Sequence, residues 1–250
     1  MSVRHSIRTA PIAVIALVGA LSVLPAMVGA QDPSGSPLPS TLAGPGLIGA
    51  TSEVARDPFD RAGSWELVDD ATGRTAIEDG RLLMSVTEDR SSAWDSLVLD
   101  APWPVVRVAV TLGLQEGDGG AGPACGSSLG LPRFFVAGVT NGDAWWLGRQ
   151  IDTRLQVVKR GFLPLDSSAS SALVAIECAS VPAEGGDRVI MSIDGEVVAN
   201  AFDIPVGPYD KATLLVASDI GPVVATFDDL IVHAGEAYVP MQRNPDAPSL

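Results

Sequence analysis

Positive charge is scarce in this sequence. Its 250 residues include 16 Lys and Arg, of which only Lys159 and Lys211 are lysines, against 30 Asp and Glu, and the formal net charge is −14. The chain as a whole repels phosphate backbones and anionic membrane surfaces, because the electrostatic attraction that drives such binding has the wrong sign. The composition therefore argues against nucleic acid and anionic membranes as partners.

The composition also argues against long helices and against a serine hydrolase. Aromatic residues make up 5% of the chain, and 26 Gly and 19 Pro are spread along it, so long helices are not expected. The chain has only two His, which argues against a catalytic Ser-His-Asp triad. Hydrophobic residues nevertheless reach 46%, which is typical of a folded protein with one all-β domain or two small ones.

The N-terminus has the pattern of a secretory signal peptide, residues 1–30. Arg4 and Arg8 precede an apolar run that ends in the small residues Val28-Gly29-Ala30. We expect cleavage at the end of this run and export to the cell surface or the medium. No Cys follows the cleavage site, so a lipid anchor is not expected. An uncleaved membrane anchor is the alternative, since the run approaches the roughly 20 residues that cross a bilayer.

Three segments follow the signal peptide. Residues 31–53 are rich in Pro, Gly and Ser without apolar periodicity, which predicts a tether. Residues 54–235 are predicted to form the folded domain, and residues 236–250, with three prolines and no alternation, a flexible tail. Loss of the signal peptide would leave His233 as the single histidine of the mature chain.

Period-two alternation dominates the predicted domain, and in such a pattern residues i and i+2 lie on one face of a strand. In residues 105–112, for example, every second residue from Val106 onward is Val or Leu. Hairpin turns are predicted at Asn141-Gly142 and Asp194-Gly195. These patterns predict an all-β fold, with about a dozen antiparallel strands in a two-sheet sandwich.

The last predicted strand changes the parity of its apolar residues. Ala225 and Phe227 share one parity, whereas Leu230 and Val232 share the other. All four can face the core only if the strand contains an extra residue. We therefore predict a β-bulge at Asp228-Asp229.

Cys125 and Cys178 are the only cysteines, and both fall on predicted strands. In an exported protein such a pair most simply forms a disulfide. Two thiols without nearby His residues make a poor zinc site. Neither Cys has a His close in sequence that could activate it as a nucleophile.

Several short motifs occur in order along the domain. They are Asp57-Pro-Phe-Asp60, Gly63-Ser-Trp65, Asp79-Gly80-Arg81-Leu82, Ile193-Asp-Gly-Glu-Val197 and Phe227-Asp-Asp-Leu-Ile-Val232. In this order the sequence resembles the concanavalin A-like lectin/glucanase superfamily, and within it small exported bacterial jelly-roll or laminin-G-like domains. The resemblance implies a jelly roll of two curved antiparallel sheets. The superfamily includes sugar-binding proteins and glycosidases, and fold alone does not choose between them.

Two adjacent aromatic pairs, Phe134-Phe135 and Trp145-Trp146, lie on the two strands of one predicted hairpin. Neighbouring strand residues point to opposite faces, so one residue of each pair belongs in the core. Parity with the surrounding apolar residues places Phe135 and Trp145 inside. Phe134 and Trp146 are then expected on the open surface of their sheet, which in the resembled fold is the concave groove if the hairpin lies on that sheet.

This surface is the predicted ligand-binding site. A sugar ring can stack its apolar C–H face on Trp146 or Phe134, while its hydroxyls bond to polar side chains such as Asn141 and Asp143. The alternative is that loops cover both rings, which is the simpler interpretation for Phe134.

Glycoside hydrolysis needs two carboxyl groups that face each other across the scissile bond. In the resembled glucanases they come from Glu-x-Asp-x-x-Glu or a close variant, and the sequence lacks that motif. Its nearest match, Glu116-Gly-Asp118, runs into Gly119-Gly120 and is predicted to be a loop. No catalytic residue is assigned, although carboxylates from distant segments could converge.

Acidic residues at the two ends of the domain are candidate calcium ligands. Asp57 and Asp60 would approach Asp228 and Asp229 if the first and last strands are neighbours, as jelly rolls usually arrange them. Calcium prefers carboxylate and carbonyl oxygens, and the resembled superfamily often holds a structural ion. The alternative is that these residues are solvated surface acids, and no cofactor is required in either case.

The sequence therefore favours an exported, non-catalytic β-sandwich module that binds carbohydrate or a cell-surface glycoconjugate. A structural or protein-interaction module with no small ligand is the first alternative, and the sparse aromatic residues favour it. A glycosidase-like enzyme with an unfamiliar pair of acids is the second.

Overall fold

The computed structural model describes residues 52–61, 63, 65–128, 133–151, 154–165 and 167–236. The predicted signal peptide, most of the predicted tether and nearly all of the predicted tail lie outside these residues. The first strand starts at Ser52, so the last two residues of the predicted tether belong to the sheet.

The described residues fold almost entirely into β-strands. The strands are β1 (Ser52–Asp57), β2 (Val68–Asp69), β3 (Gly73–Glu78), β4 (Arg81–Val86), β5 (Ser92–Trp103), β6 (Val105–Ser127), β7 (Arg133–Thr140), β8 (Ala144–Ile151), β9 (Arg154–Phe162), β10 (Ala172–Val181), β11 (Gly186–Ile193), β12 (Glu196–Asp203) and β13 (Tyr209–Gly235). A short 3₁₀ turn, Pro182–Glu184, precedes β11. Within the described ranges, no helix has the length and apolar character needed to cross a membrane.

Two antiparallel layers share the long strands β6 and β13. Sheet I has the order β12, β11, β10, first half of β6, second half of β13, β4, β3 and β2, and β1 also pairs with β13. Sheet II has the order β5, first half of β13, second half of β6, β7, β8 and β9. The all-β antiparallel sandwich predicted from the alternation is confirmed.

The two long strands cross between the sheets at glycines. Gly117 in β6 has a φ of +98°, and a Cβ atom there would lie 1.9 Å from the carbonyl oxygen of Pro222 in β13. Gly221 in β13 also has a positive φ, 72°. The expectation of a loop at residues 116–120 is therefore wrong. Glycine lets β6 bend there with an irregular register while its pairing with β13 continues.

The hydrophobic core lies between the sheets. Val106, Val108, Val110 and Leu112 of β6 are fully buried, as the alternation predicts. They belong to one cluster with residues of both sheets, including Leu214 in the sheet II half of β13. Removal of this apolar surface from water is the main source of stability for the sandwich.

The bulge predicted in the last strand is confirmed. The register of β13 against β6 shifts between Asp228 and Ile231, and Asp229 has a φ of 50°. The four apolar residues on either side of the bulge are fully buried: Ala225, Phe227, Leu230 and Val232. The extra residue keeps both halves of the strand facing the core.

Both predicted hairpins are present, with different turns. Asp194 and Gly195 connect β11 to β12 with φ values of 50° and 86°, which is the two-residue turn that matches the strand twist. The β7–β8 loop has three residues, and its left-handed residue is Asp143, with a φ of 52°, rather than Gly142.

The predicted disulfide is also confirmed. Cys125 and Cys178 are bonded, with their Cα atoms 6.4 Å apart. Cys125 lies in the sheet II half of β6, and Cys178 lies in β10 of sheet I. The disulfide therefore joins the two layers.

Candidate functional site

Sheet II has a second set of side chains that point away from the core, and we call this surface the outer face of sheet II. These residues alternate with the core residues along each strand. By register they include Trp94, Ser96, Lys211, Thr213, Leu215, Ala124, Phe134, Val136, Trp146, Gln150, Leu155, Val157 and Arg160. The strands also place several glycines there, which leave room between the larger side chains.

The aromatic hairpin has the predicted orientation. Phe135 and Trp145 lie in the main core, whereas Phe134 and Trp146 belong to a separate apolar cluster on the outer face of sheet II. Phe134 is only 3% exposed, so it packs within that cluster. Trp146 is partly exposed. The ligand contacts predicted for both residues stay predictions, and Trp146 is the one with accessible surface.

The Trp146 indole lies on a bed of glycines. A Cβ atom at Gly138 would lie 2.1 Å from Trp146 Cε2, and one at Gly120 would lie 2.8 Å from Nε1. A Cβ atom at Gly148 would lie 3.0 Å from Cζ3 on the opposite edge of the ring. Because both edges approach the backbone of the sheet, the ring lies flat against it and turns its other face outward.

Trp94 marks the other side of the same cluster. It faces Leu215 across the β5–β13 pair, and Leu215 faces Gly122 across the β13–β6 pair. From β5 to β8 there are four strand spacings, so the Trp94 and Trp146 backbones are about 19 Å apart. Neither Trp94 nor the glycine bed was among the predicted ligand contacts. The glycine bed could have been predicted from glycines that alternate with core residues on three neighbouring strands.

The polar groups of this face are mostly neutral or cationic. The Ser96 and Thr213 hydroxyls are 2.8 Å apart and hydrogen-bonded. Arg160 stands opposite Trp146 across the β8–β9 pair, and Lys211 stands opposite Gly126. Alternation with Gly120 also places one exposed carboxylate of β6, Asp118, on this face, opposite Ile220 of β13.

Asn141 and Asp143, the predicted polar ligands, lie in the exposed turn between β7 and β8. The Asn141 side-chain amide donates a hydrogen bond of 2.8 Å to the carbonyl oxygen of Gly117. The Asp143 carbonyl oxygen accepts one of 2.8 Å from the Leu163 N–H. Both residues stand at the end of the hairpin that holds Trp146, and their contact with a ligand stays a prediction.

The predicted calcium ligands are partly brought together. β1 pairs with β13, and Asp57 faces Leu230 just beyond the bulge at Asp228 and Asp229. Asp60 is exposed next to Arg61, with 3.9 Å between their charged atoms. Within the described ranges, no three His, Cys, Asp or Glu side chains gather in an arrangement that could hold a metal ion.

Asp57 and Asp228 also have partners in the protein. The Asp57 carboxylate accepts hydrogen bonds of 2.8 Å from the Phe59 N–H and the Trp65 Nε1–H. Asp228 lies 3.4 Å from the Arg81 guanidinium. Calcium binding stays a prediction, and sequence analysis did not foresee the structural contact between Asp57 and Trp65.

Carboxylates with perturbed pKa values lie elsewhere. Burial raises the pKa of Asp95, although the Glu66 and Ser96 N–H groups donate hydrogen bonds to its carboxylate. Asp95 follows Trp94, so alternation turns it to the opposite face of β5. In sheet I, burial raises the pKa of Glu177 to about 7, and Arg107 partly opposes that rise.

Comparison with known proteins shows the fold. No family model matches the chain, and no curated protein matches its sequence. A Bacillus licheniformis β-glucanase is 10% identical, with a TM-score of 0.52 over 74% of this chain and 100% of that one. A Bacillus subtilis protein of unknown function with a galectin-like fold is 12% identical, with a TM-score of 0.52 over 75% of this chain and 98% of that one.

A third solved structure, a native glycosidic hydrolase, is 9% identical, with a TM-score of 0.51 over 74% of this chain and 97% of that one. Identities this low show a shared fold and nothing about a shared activity. The strand order, the two layers and these likenesses agree with the resemblance found in the sequence. The chain therefore has the concanavalin A-like jelly-roll fold.

Proposed function

We propose that this protein is an exported, non-catalytic module that binds carbohydrate or a cell-surface glycoconjugate through the outer face of sheet II. The observation that supports this most directly is the Trp146 indole, which lies flat on glycines and is partly exposed. A flat aromatic surface is complementary to the apolar C–H face of a sugar ring. A preformed surface also loses little conformational entropy when a ligand binds.

The lack of carboxylates on the strands around Trp146 supports binding rather than hydrolysis at this face. A retaining glycosidase needs two carboxyl groups about 5 to 5.5 Å apart, and an inverting one needs them about 6.5 to 9.5 Å apart. The strand that carries Trp146 and the two strands beside it, β7, β8 and β9, contain no Asp or Glu. Asp95, the neighbour of Trp94, is on the opposite face of its strand.

Export rests on the predicted signal peptide. A mature protein in the culture medium whose N-terminus is Gln31 would support it. A protein that stays in the cytoplasm with residues 1–30 attached would contradict it.

Replacement of Trp146 by Ala tests the binding proposal. The mature protein and the Trp146→Ala variant are compared on a glycan array and then by calorimetry with the strongest ligand. We expect affinity to fall at least about tenfold, because the variant loses the ring on which the sugar stacks. Phe202→Ala is the matched control, since it removes a 49% exposed aromatic ring from β12 in sheet I.

Two glycine variants give a second test of the same surface. Gly138→Ala places a methyl group in the space of the Trp146 indole and should displace the ring and weaken binding. Gly142→Ala, in the turn of the same hairpin, meets only the Thr140 hydroxyl at 3.8 Å and should bind normally. If the unmodified protein bound no glycan on a broad array, the alternative of a protein-interaction module would be favoured.

A further inference from the structure

We propose that the ligand of this face is an anionic glycan, a saccharide whose ring stacks on Trp146 while its carboxylate or sulfate pairs with Arg160. This inference rests on the proposed function and adds the chemical class of the ligand. It is derived from the position and the unpaired charge of Arg160.

Arg160 and Trp146 are direct cross-strand neighbours on the outer face of sheet II. Residues directly opposite in an antiparallel pair have Cβ atoms about 4.5 to 5.5 Å apart, so their side chains reach one ligand together. The Arg160 side chain is exposed and makes no ion pair or hydrogen bond within the described ranges.

The surrounding strands concentrate positive charge. β8 and β9 contain Arg149, Arg154, Lys159 and Arg160 and no acidic residue. Arg149 pairs with Asp203 of β12 and is therefore already neutralised. The chain has a net charge of −14, yet Arg160 places an unpaired positive charge beside the partly exposed Trp146.

Lys159, one of the inner-facing cations of β9, has a different role. Lys159 stands opposite Leu147, a core residue, and its ammonium group donates to the carbonyl oxygen of Asn200 in β12. It connects the edges of the two sheets. Arg160, one residue further along, is left for a partner outside the chain.

The net negative charge does not prevent this interaction. At physiological ionic strength the screening length is about 8 Å, so an anion at the outer face responds mainly to nearby charges. A guanidinium group can donate two parallel hydrogen bonds to a carboxylate or a sulfate. A neutral sugar offers Arg160 no compensating charge.

A second cation makes a polyanion a better ligand than a single charged sugar. Lys211 lies on the same face in β13, four strand spacings or about 19 Å from β9. It also has no ion pair within the described ranges. A polymer with a charge on every sugar can contact both cations across the aromatic cluster.

The test compares matched charged and neutral polymers. The mature protein is titrated with polygalacturonate and galactan, and with dextran sulfate and dextran, in chelator and at two salt concentrations. We expect at least one charged polymer to bind about tenfold more tightly than its neutral counterpart, with a preference that weakens at high salt. Arg160→Gln should remove the preference.

Arg154→Gln is the matched control. It makes the same charge change on the same exposed strand, but Arg154 faces Ile151, on the opposite side of β9 from the Trp146 row. Retention of the preference in Arg154→Gln and its loss in Arg160→Gln would support the inference. Equal losses in both variants would show non-specific charge attraction and overturn it.

The outcomes separate the two proposals. Binding of neutral and charged polymers with equal affinity, abolished by Trp146→Ala, would overturn the anionic ligand and leave the proposed function intact. Binding of a charged polymer that Trp146→Ala does not affect would overturn both proposals. Both would also be overturned if the protein bound none of the four polymers and no glycan on the array.

Discussion

At the scale of single residues, Glu177 is a buried carboxyl group with a strongly raised pKa. It lies in β10 between Ile190 of β11 and Arg107 of β6, and it is only 7% exposed. Its Oε1 atom is buried without a hydrogen-bond partner, and the Arg107 guanidinium is 3.9 Å from Oε2. Burial thus outweighs Arg107 and raises the Glu177 pKa to about 7.

Other charges around Glu177 are further away along the sheet. Arg188 lies one row away in β11 and is 3.5 Å from Glu184. His233 of β13 faces Arg107 from the other side, and Glu53 of β1 faces His233. Arg107 is therefore the cation that faces Glu177 directly.

This arrangement predicts that stability falls as pH rises. The folded pKa of Glu177 exceeds its unfolded value, so the native state binds more protons between about pH 4.5 and 7. We expect the free energy of unfolding to fall across this window by about 2 kcal/mol more in the unmodified protein than in Glu177→Gln. Urea titrations at pH 4.5, 6 and 8 measure this difference.

Glu184→Gln is the control for that measurement, because Glu184 is an exposed acid that pairs with Arg188 on the same sheet. Its pH dependence should follow that of the unmodified protein. If the free energy of unfolding had the same pH dependence in Glu177→Gln as in the unmodified protein, ionisation of Glu177 would not destabilise the folded state, and the prediction would be wrong.

Asp57 gives a prediction that separates its structural contact from calcium binding. Its carboxylate satisfies the indole N–H of Trp65, which is 5% exposed, and the N–H of Phe59, which is fully buried. We expect Asp57→Ala to lower stability by about 2 kcal/mol, because buried donors lose their acceptor. The loss should be the same in chelator and in millimolar calcium, as measured by thermal unfolding.

If the calcium site predicted from the sequence exists, the same experiment should instead show stabilisation by calcium. A melting temperature that rises with calcium in the unmodified protein, but not in Asp57→Ala, would establish an ion at these acids. Magnesium is the control, since it prefers tighter octahedral geometry and should stabilise less.

At the scale of elements, the disulfide holds β6 of sheet II to β10 of sheet I. It closes a loop of 53 residues, for which loss of chain entropy in the unfolded state gives a stabilisation of about 4 kcal/mol. Replacement of both Cys125 and Cys178 by Ala should therefore lower the free energy of unfolding by roughly 3 to 4 kcal/mol in urea.

Reductant provides the control for the disulfide. Dithiothreitol should destabilise the unmodified protein and leave the double variant unchanged. Equal stability of the oxidised and reduced proteins would show that the cross-link contributes nothing beyond the packing of the two sheets.

Side-chain orientation on strands, the β-bulge and the disulfide could all be predicted from the sequence. Alternation on one strand was enough to place Phe135 and Trp145 inside and Trp146 outside, because side-chain direction depends only on the strand itself. The bulge at Asp228-Asp229 followed from the same local rule. The disulfide followed from the number of cysteines and the expected compartment.

The surroundings of Trp146 could not be predicted in this way, because they depend on which strands are neighbours. Gly120 lies on β6 and Trp146 on β8, and only the sheet order brings them together. The register of β9 shifts between Leu147 and Gly148. Counted from the turn without that shift, Trp146 would face Lys159 instead of Arg160, and no motif in the sequence marks the irregularity.

At the scale of the whole molecule, the distribution of charge matters more than its sum. The net charge of −14 argues against long-range attraction of nucleic acid, and that argument still holds for the molecule at a distance. Several arginines are neutralised locally, including Arg56 by Glu53 and Arg74 by Glu78. The acid-free strands β8 and β9 are the exception, and they lie at the edge of sheet II beside the aromatic cluster.

The position of β13 determines when the molecule can fold. It is the last strand of the described residues, yet it lies in the interior of both sheets, between β5 and β6 in one and between β6 and β4 in the other. During synthesis every earlier strand emerges before this central partner exists. Such non-local pairing is slow to form, and neither layer can close until residues 209–235 have left the ribosome. Folding is therefore a late event, which is compatible with the export that we propose.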